Sequence, residues 1–474
     1  MIKIIYMYFY NNKKSYIMQI RGGKNMKILV VNPPNKPFTN KSIIAEPIDI
    51  LQIATIIQKE YKEVKVLDMD VNQMNNNINK YLEEKNILIF VFDYHIPLHT
   101  TETKDNIFEI IKNIPKEIKT TTIVIGKTSS YYHEEFLKNG IDILMNGVVE
   151  QEINKVIKYI DKKEELLKIP NLVFKWDDKI YKTEKKRVNF NFKDLPIPNR
   201  ELVDIEKYMD TRTMITSRGC IGNCAFCATP YFFGKWTAKT PKQVVDEIEL
   251  LIKKYHAKKI MFLDDNATVS KKRMIEICEE IKRRNLKCLF GALASLKTYD
   301  EEMFQKMYEV GFRWVHFGIE SGSRRILNSM NKFFDIDITK KIITRIKELG
   351  YRVRVSLILD YPTTTKEDIE QTKNLILETM PHEIRLHYLT YRVGTPIFLQ
   401  KKTKEITSQY IHQKTKEIKD KDLMSTINNL VEELKNKNYE IITDDIDWNK
   451  YNNMPKDTQI AAFTPIKYGV CWYE

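Results

Sequence analysis

Apolar and polar residues follow two different periods along the first third of the chain. Short runs rich in Val and Ile alternate with longer segments in which apolar residues recur at helical spacing. The alternation predicts parallel βαβ units in a doubly wound, Rossmann-like sheet over residues 26–160. The predicted strands are Ile28–Asn32, Val64–Leu67, Ile87–Phe92, Thr122–Ile125 and Ile141–Met145, and the predicted helices are Pro47–Glu60, Asn75–Glu84, Thr103–Asn113, Tyr132–Asn139 and Glu150–Asp161.

A second β/α series occupies residues 213–396. Six strand-like runs, each followed by a helical pattern except the last, predict a partial (β/α)6 TIM-type barrel that is open on one side. Ligands of such a barrel bind at the carboxyl ends of the strands. The strands are Met214–Ser217, Lys259–Leu263, Cys288–Ala294, Trp314–Gly318, Arg352–Leu359 and Glu383–Tyr391, and the helices are Pro241–Tyr255, Lys271–Arg284, Asp300–Val310, Ser323–Asn331, Asp337–Leu349 and Lys366–Thr379.

The remaining segments are a linker and two terminal extensions. Residues 161–212 are charged and proline-containing, with a small hairpin predicted around Asp177 and Asp178. Residues 397–474 have a helical pattern and predict a C-terminal helical cap. Residues 1–25 fit poorly with a fold, and we hypothesise that they are not translated and that Met26 is the start.

Composition predicts a soluble globular protein, with 43% hydrophobic and 30% charged residues. No apolar run is long enough to cross a bilayer. The six scattered or clustered cysteines do not form a disulfide framework, which favours the reducing cytoplasm. The net charge is +14, but lysines are interspersed with glutamates, so charge gives only weak support for a nucleic-acid partner.

Three of the six cysteines lie close together, directly after the first strand of the second series. Cys220, Cys224 and Cys227 have Cys-x3-Cys-x2-Cys spacing. An iron–sulfur cube held by three thiolates leaves one iron open to another ligand. A zinc site completed by a distant His and unliganded thiols are the alternatives. No second Cys or His pair lies nearby at zinc-finger spacing, which favours the iron–sulfur interpretation.

With Phe226 before its last cysteine, this spacing resembles the signature of the radical S-adenosylmethionine enzymes. The resemblance implies that Cys220, Cys224 and Cys227 hold a 4Fe-4S cluster whose free iron binds S-adenosylmethionine. It further implies a 5'-deoxyadenosyl radical that abstracts hydrogen from a substrate, and a flavodoxin- or ferredoxin-type reductant. Phe226 is expected to pack against the adenine side of the cofactor.

Two further motifs at strand ends match the same family. An Asp-Asp turn holds Asp264 and Asp265, and a Gly-Ile-Glu-Ser-Gly-Ser motif holds Glu320 and Ser321. The resemblance implies that these four residues help to bind S-adenosylmethionine. A helix N-cap role for Asp265 or Asn266 is the alternative to cofactor binding. No residue that acts on the substrate can be identified.

The first β/α series resembles the cobalamin-binding-like domain that precedes the radical domain in a large subgroup of the family. Asn32 and Pro33 match the opening turn of that domain and are therefore expected to contact the cofactor. Two departures leave cobalamin binding open. Lys127 follows Gly126 where the subgroup has a second glycine, and His95 follows the third strand, where we expect a loop residue and not a cobalt ligand.

The sequence therefore predicts a radical S-adenosylmethionine enzyme and leaves its reaction open. Cobalamin-dependent C-methylation is one version, and cobalamin-independent rearrangement, oxidation or epimerisation of a peptide or small molecule is the other. A methylthiotransferase acting on tRNA or protein is disfavoured because no cysteine precedes Cys220 to hold a second cluster. A non-catalytic iron–sulfur sensor is the hypothesis from another functional class.

Overall fold

The computed structural model describes residues 26–34, 45–71, 78–82, 85–94, 101–186, 190–387, 389–400, 421–437 and 439–443. The hypothesis about Met26 as the start concerns residues 1–25, which lie outside the described residues. Among the described residues, none of the helices combines the length and the apolar character needed to cross a membrane.

The first sheet contains five parallel strands in the order β2-β1-β3-β4-β5, flanked by helices. The central strands are buried along most of their length because helices cover both faces, as their continuous Val and Ile runs predict. The elements are β1 (Lys27–Asn32), α1 (Ile48–Gln58), β2 (Val64–Asp68), β3 (Lys85–Val91), α2 (Thr101–Lys112), β4 (Lys119–Ile125), α3 (Lys127–Tyr131), α4 (His133–Lys138), β5 (Ile143–Met145), α5 (Ile153–Lys158) and α6 (Lys163–Leu166).

Two predicted helices of this unit differ from the structure. In place of the helix predicted over Asn75–Glu84, the described residues form a single 3-10 turn, Ile78–Tyr81. The helix predicted over Tyr132–Asn139 is α4, and the short α3 precedes it, with Tyr132 between the two. The segment over Asn75–Glu84 begins with three asparagines and has only Ile78, Tyr81 and Leu82 as apolar residues, so a helix there would bury little apolar area.

The hairpin that the sequence places in the linker extends the first sheet. Its strands are β6 (Leu172–Trp176) and β7 (Lys179–Lys182), and β6 pairs antiparallel with β5. Asp177 and Asp178 form the turn with positive φ angles of 46° and 60°. The sheet therefore has seven strands, of which the last two are antiparallel.

The second sheet is a parallel open barrel wall in the order β8-β11-β12-β13-β14-β15-β16. Its first strand lies three residues earlier than predicted, and Ser217 and Arg218 instead form a short antiparallel pair with β10. The elements are β8 (Thr211–Met214), β9 (Ser217–Arg218), α7 (Thr229–Phe232), β10 (Thr237–Ala238), α8 (Pro241–Tyr255), β11 (Lys259–Phe262), α9 (Lys271–Arg283), β12 (Leu289–Ala294), α10 (Glu301–Glu309), β13 (Phe312–Glu320), α11 (Arg324–Ser329), α12 (Ile336–Glu348), β14 (Arg352–Ile358), α13 (Lys366–Thr379), β15 (Glu383–His387), α14 (Pro396–Gln400), α15 (Lys421–Asn436) and β16 (Glu440–Thr443).

The described part of the C-terminal segment is a seventh barrel unit and not only a helical cap. Helix α15 buries apolar side chains against the barrel core, and Lys373 of α13 pairs with Glu433 at 2.8 Å. Strand β16 then pairs in parallel with β15. This strand is not predicted from the sequence, because four residues give too short a pattern to distinguish from a tail.

Buried charges join the two sheets. The Arg200 guanidinium lies 3.0 Å from Glu46, which precedes α1, and 3.2 Å from Glu247 of α8, and all three side chains are fully buried. Glu46 also accepts a 3.0 Å hydrogen bond from the Thr213 backbone N–H on the first barrel strand. Lys239 lies 2.8 Å from Glu247 and supplies the second cation, so both carboxylates are paired at the junction, as buried charges require.

Packing of α15 on the barrel is testable through Leu434, which is fully buried in the barrel core. We expect Leu434→Ala to lower the free energy of unfolding by about 2–5 kcal/mol, because it leaves a cavity in that core. Asn429→Ala, on the exposed side of the same helix, is the control and should change it by less than about 0.5 kcal/mol. Urea denaturation measures both, and equal effects would contradict the packing.

Candidate active site

The cysteine loop between β9 and α7 begins beside a buried carboxylate at the end of β11. Asp264 is fully buried and accepts hydrogen bonds from the Thr216 backbone N–H at 2.6 Å, the Thr216 hydroxyl at 2.5 Å and the Ser217 hydroxyl at 2.6 Å. These donors satisfy a charge that would otherwise be costly to bury. The expectation that Asp264 contacts the cofactor is therefore corrected, because its side chain points into the protein and anchors the loop.

Asp265, the next residue, turns the other way and lines the cavity in front of the loop. It accepts hydrogen bonds from the Gly219 backbone N–H and the Thr229 hydroxyl, both at 2.8 Å. These two donors precede and follow the three cysteines, so one carboxylate holds both ends of the loop. The alternative N-cap role does not apply, since Ser270 caps the following helix.

Cys220, Cys224 and Cys227 all line the same cavity. A Cβ built on Gly222 would lie 3.6 Å from the Cys220 Sγ and 3.9 Å from the Cys224 Sγ, so the backbone passes close between the two thiols. Among the described residues, no three His, Cys, Asp or Glu side chains form a ligand set for a single metal ion. Three thiols around one open cavity are the donor set that fits a 4Fe-4S cluster.

The cavity has a volume of about 400 Å³ and lies at the carboxyl ends of the barrel strands. Phe226 forms part of its wall and packs against a buried apolar cluster that includes Ile358 and Leu389. Lys332 lies 5.8 Å from the Phe226 ring centroid. An aromatic side chain beside the thiols therefore gives the wall an apolar surface next to a cation.

Glu320 reaches the cavity through an irregularity in β13. The strand register shifts between Gly318 and Glu320, and Glu320 adopts a positive φ of 68°. Its carboxylate accepts a hydrogen bond from the Lys332 ammonium at 2.8 Å. A Cβ on Gly318 would lie 2.4 Å from the Glu320 Oε1, so only glycine leaves room for this pair.

Lys332 is a site residue that the sequence analysis missed. Burial by itself would lower the pKa of Lys332, but the negative charge of Glu320 and the nearby Cys224 raise it above the usual value. The lysine therefore stays charged beside the thiols. Its signal in the sequence is weak, because it follows α11 in an Asn-Lys pair with no motif of its own.

Ser321 does not line the cavity, which corrects the expectation that it binds the cofactor. Its hydroxyl lies 3.3 Å from the Thr372 hydroxyl on α13 and accepts a 3.1 Å hydrogen bond from the Ser323 backbone N–H. The next residue, Gly322, has no room for a Cβ, which would lie 2.5 Å from the Gln371 carbonyl oxygen. The small residues of this motif therefore serve close packing against α13.

A row of polar side chains from three adjacent strands forms another wall of the cavity. His316 Nε2 lies 2.6 Å from the Ser356 hydroxyl, which lies 3.3 Å from His387 Nε2. Burial, reinforced by Arg354, holds the pKa of His316 well below its usual range, so this imidazole is neutral. The row could not be predicted from the sequence, because only strand register brings the three residues together.

At the first sheet, Asn32 and Pro33 do not line the cavity that the cysteines share. The Asn32 amide donates to the Asp68 carboxylate at 2.7 Å, and the same carboxylate accepts from the Tyr208 hydroxyl at 3.1 Å. Asn32 therefore joins β1, β2 and the linker, and the expected contact of Asn32 and Pro33 with a cofactor stays a prediction. His95 lies outside the described residues.

Lys127 lies at the carboxyl ends of the strands of the first sheet and lines the cavity. Its ammonium donates to the Tyr94 carbonyl oxygen and lies 3.4 Å from Asp93, which also accepts a 2.6 Å bond from the Thr128 hydroxyl. The Lys127 side chain is buried and stands where the resembled subgroup has only glycine. A buried ammonium therefore lies at this edge among the described residues, and cobalamin remains a possible cofactor.

Comparison with known proteins agrees with this architecture. Residues 214–376 match the family model described as the Radical SAM superfamily. The uncharacterized methyltransferase PH0819 of Pyrococcus horikoshii is 28% identical over 389 residues, which are 79% of this chain and 81% of the relative.

Two solved structures share the fold. The radical S-adenosylmethionine methyltransferase TsrM from Kitasatospora setae has a TM-score of 0.65 at 18% identity, with 79% of this chain and 75% of TsrM covered. The cobalamin-dependent radical enzyme OxsB, solved with aqua-cobalamin and S-adenosylmethionine, has a TM-score of 0.63 at 19% identity, with 74% of this chain and 52% of OxsB covered. The predicted fold, a Rossmann-like sheet followed by a partial barrel, is confirmed.

Burial of the three cysteines predicts that their pKa values are raised in the chain without its cluster. Burial raises the pKa of Cys224 to about 11, and it also raises the pKa of Cys220 and Cys227. Because the thiolate is the nucleophile, alkylation of Cys224 by iodoacetamide should accelerate about tenfold per pH unit up to that value. Peptide mass spectrometry measures the rate, and levelling near the ordinary pKa of 9.0 would contradict the burial.

Proposed function

We propose, from the premise that this chain is a radical S-adenosylmethionine enzyme, that its cavity binds a 4Fe-4S cluster, S-adenosylmethionine and a polar substrate. Cys220, Cys224 and Cys227 would hold the cluster. When bound, the cluster and S-adenosylmethionine supply an electron and a 5'-deoxyadenosyl radical that abstracts hydrogen from the substrate. The observation that carries the proposal is the shared cavity, which places three thiols beside the Glu320–Lys332 pair.

The Glu320–Lys332 pair suits the methionine end of S-adenosylmethionine. That end carries an ammonium and a carboxylate, and the pair offers one carboxylate and one ammonium on the wall beside the thiols. Asp265 would act by holding the cysteine loop at both ends, and Phe226 by presenting an apolar surface that excludes water. Asp264 and Ser321 would contribute only by fixing the backbone.

The row of His316, Ser356 and His387, in which His316 is neutral, supports a substrate with polar groups. The Ser356 hydroxyl can donate to one imidazole and accept from the other, so the row presents both donors and acceptors. Because the pKa of His316 is held well below its usual range, this imidazole is a weak base, and we assign the row to binding and not to general-base catalysis. A peptide or a small polar molecule has the required groups.

A radical S-adenosylmethionine enzyme requires a reductant and a substrate. We propose that the reductant is a flavodoxin or ferredoxin and that the chain works in the cytoplasm, where thiols stay reduced. Residues 26–160 and 213–396 remain our predicted division into a cobalamin-binding-like domain and a radical domain.

Methyl transfer is the second candidate function. It is favoured by the name of PH0819, a methyltransferase, and by the shared fold with TsrM. The contacts of Lys127 weigh against a version that uses cobalamin. Rearrangement, oxidation or epimerisation needs no third cofactor and is the alternative reaction class.

The assignment of the three ligands predicts a distinct pattern of iron loading. After anaerobic reconstitution, the wild-type chain should hold about four irons, and Cys220→Ala, Cys224→Ala and Cys227→Ala should each lose most of them. Cys278→Ala is the control, since Cys278 is buried in the barrel core and should leave the iron content unchanged. Zinc in place of iron, or a loss of iron in the Cys278 variant equal to that in the others, would refute the assignment.

Lys127 predicts the outcome of a cobalamin-binding experiment. Wild-type protein purified anaerobically with hydroxocobalamin should carry no corrin absorbance, because the buried Lys127 side chain occupies the edge of the first sheet. Lys127→Gly, which removes that side chain, is the matched variant and should gain absorbance. Stoichiometric corrin on the wild-type chain would contradict the blocked edge and establish the cobalamin-dependent version.

A further inference from the structure

Arg218 lies two residues before the first cysteine of the loop. Its side chain, however, is hydrogen-bonded to a residue that follows β5 of the first sheet. Its guanidinium donates to the carboxylate of Glu150, and both side chains are almost completely buried. Glu150 also accepts a 2.6 Å hydrogen bond from the Tyr94 hydroxyl, and the Val149 backbone N–H donates to that hydroxyl at 3.3 Å. A continuous chain of hydrogen bonds therefore connects the segment after β5 to the cysteine loop.

Aromatic rings surround the Arg218 guanidinium. The ring centroids of Phe233, Phe192 and Tyr94 lie 4.8, 5.2 and 5.3 Å from its central carbon. A guanidinium packed against aromatic faces and paired with one buried carboxylate has little freedom to move. The backbone that leads into Cys220 is therefore fixed in direction by a residue of the other domain.

The other anchors of the loop belong to the barrel. Asp264 and Asp265 hold the segments before and after the cysteines, and β9 pairs with β10. Glu150 adds an anchor from the first sheet's side, at the Gly147–Glu150 turn that the proposed function does not otherwise use. This turn is therefore hydrogen-bonded to the cysteine loop through Arg218, although Glu150 does not line the cavity.

We propose that Glu150 is a positioning residue for the cluster, acting through Arg218, so that the first domain serves the radical reaction by fixing the cysteine loop. This inference rests on the proposed function. A misplaced thiol set would hold the cluster less firmly and at the wrong distance from bound S-adenosylmethionine. Small displacements of this kind cost enzymes up to about a hundredfold in rate.

The test uses the full-length chain, reconstituted anaerobically, with S-adenosylmethionine and dithionite as the only additions. Tyr94→Phe removes the hydroxyl from Glu150 and keeps the ring. The double variant Glu150→Leu with Arg218→Met removes both charges, which avoids leaving one buried charge unpaired and preserves stability. Glu46→Gln is the matched control, because Glu46 pairs with Arg200 at the same junction but contacts Thr213 and not the cysteine loop.

The readouts are irons per folded chain, the midpoint potential of the cluster, and kcat and KM for 5'-deoxyadenosine formation. In the double variant we expect kcat to fall about tenfold and the potential to shift, with the urea midpoint close to wild type. Tyr94→Phe should show a smaller loss in the same direction. Glu46→Gln should lower the urea midpoint while the folded fraction keeps wild-type potential and kcat.

Wild-type kcat and potential in both Glu150-linked variants would overturn the inference, and so would equal losses of kcat in Glu46→Gln. If the double variant does not fold, Tyr94→Phe alone decides between these outcomes. Failure of the proposed function has a different signature, since the wild-type chain itself would then hold no four-iron cluster and form no 5'-deoxyadenosine.

Discussion

The buried carboxylate of Asp264 is the contact on which the site depends. It accepts three hydrogen bonds from Thr216 and Ser217, two residues that connect the first barrel strand to the cysteine loop. Hydrogen bonds to a buried charge are stronger than neutral ones, and removing their acceptor would leave buried donors unsatisfied. The loop therefore leaves the barrel at a fixed place and in a fixed direction before any cofactor binds.

Parallel strands then bring the remaining side chains to the same place. Every strand of the barrel wall ends at the same edge, so residues far apart in sequence share one cavity. The shift in β13 turns Glu320 toward the thiols, and Lys332, in the segment between α11 and α12, neutralises it. The result is a wall with one carboxylate and one ammonium beside three thiols, which is the complement of a zwitterionic ligand.

Much of this could be predicted from the sequence, for physical reasons that differ between elements. The barrel strands were predictable because short runs with adjacent or alternating apolar residues, such as β12 and β14, are separated by segments with a helical pattern. Asp264 and Asp265 could not be told apart, since adjacent residues at a strand end point in opposite directions and only the packing shows which one faces the cavity. His316, Ser356 and His387 lie on separate strands, and their association depends on register that no local pattern encodes. Strand β16 was missed because its four residues are too few to give a period.

The central claim is that this cavity holds a reduced iron–sulfur cluster in reach of S-adenosylmethionine. The most direct measurement is electron paramagnetic resonance of the anaerobically reconstituted, dithionite-reduced chain, with and without S-adenosylmethionine labelled with 17O in its carboxylate. The account predicts a 4Fe-4S signal that shifts and gains hyperfine broadening from the label. A signal that S-adenosylmethionine leaves unchanged would contradict it.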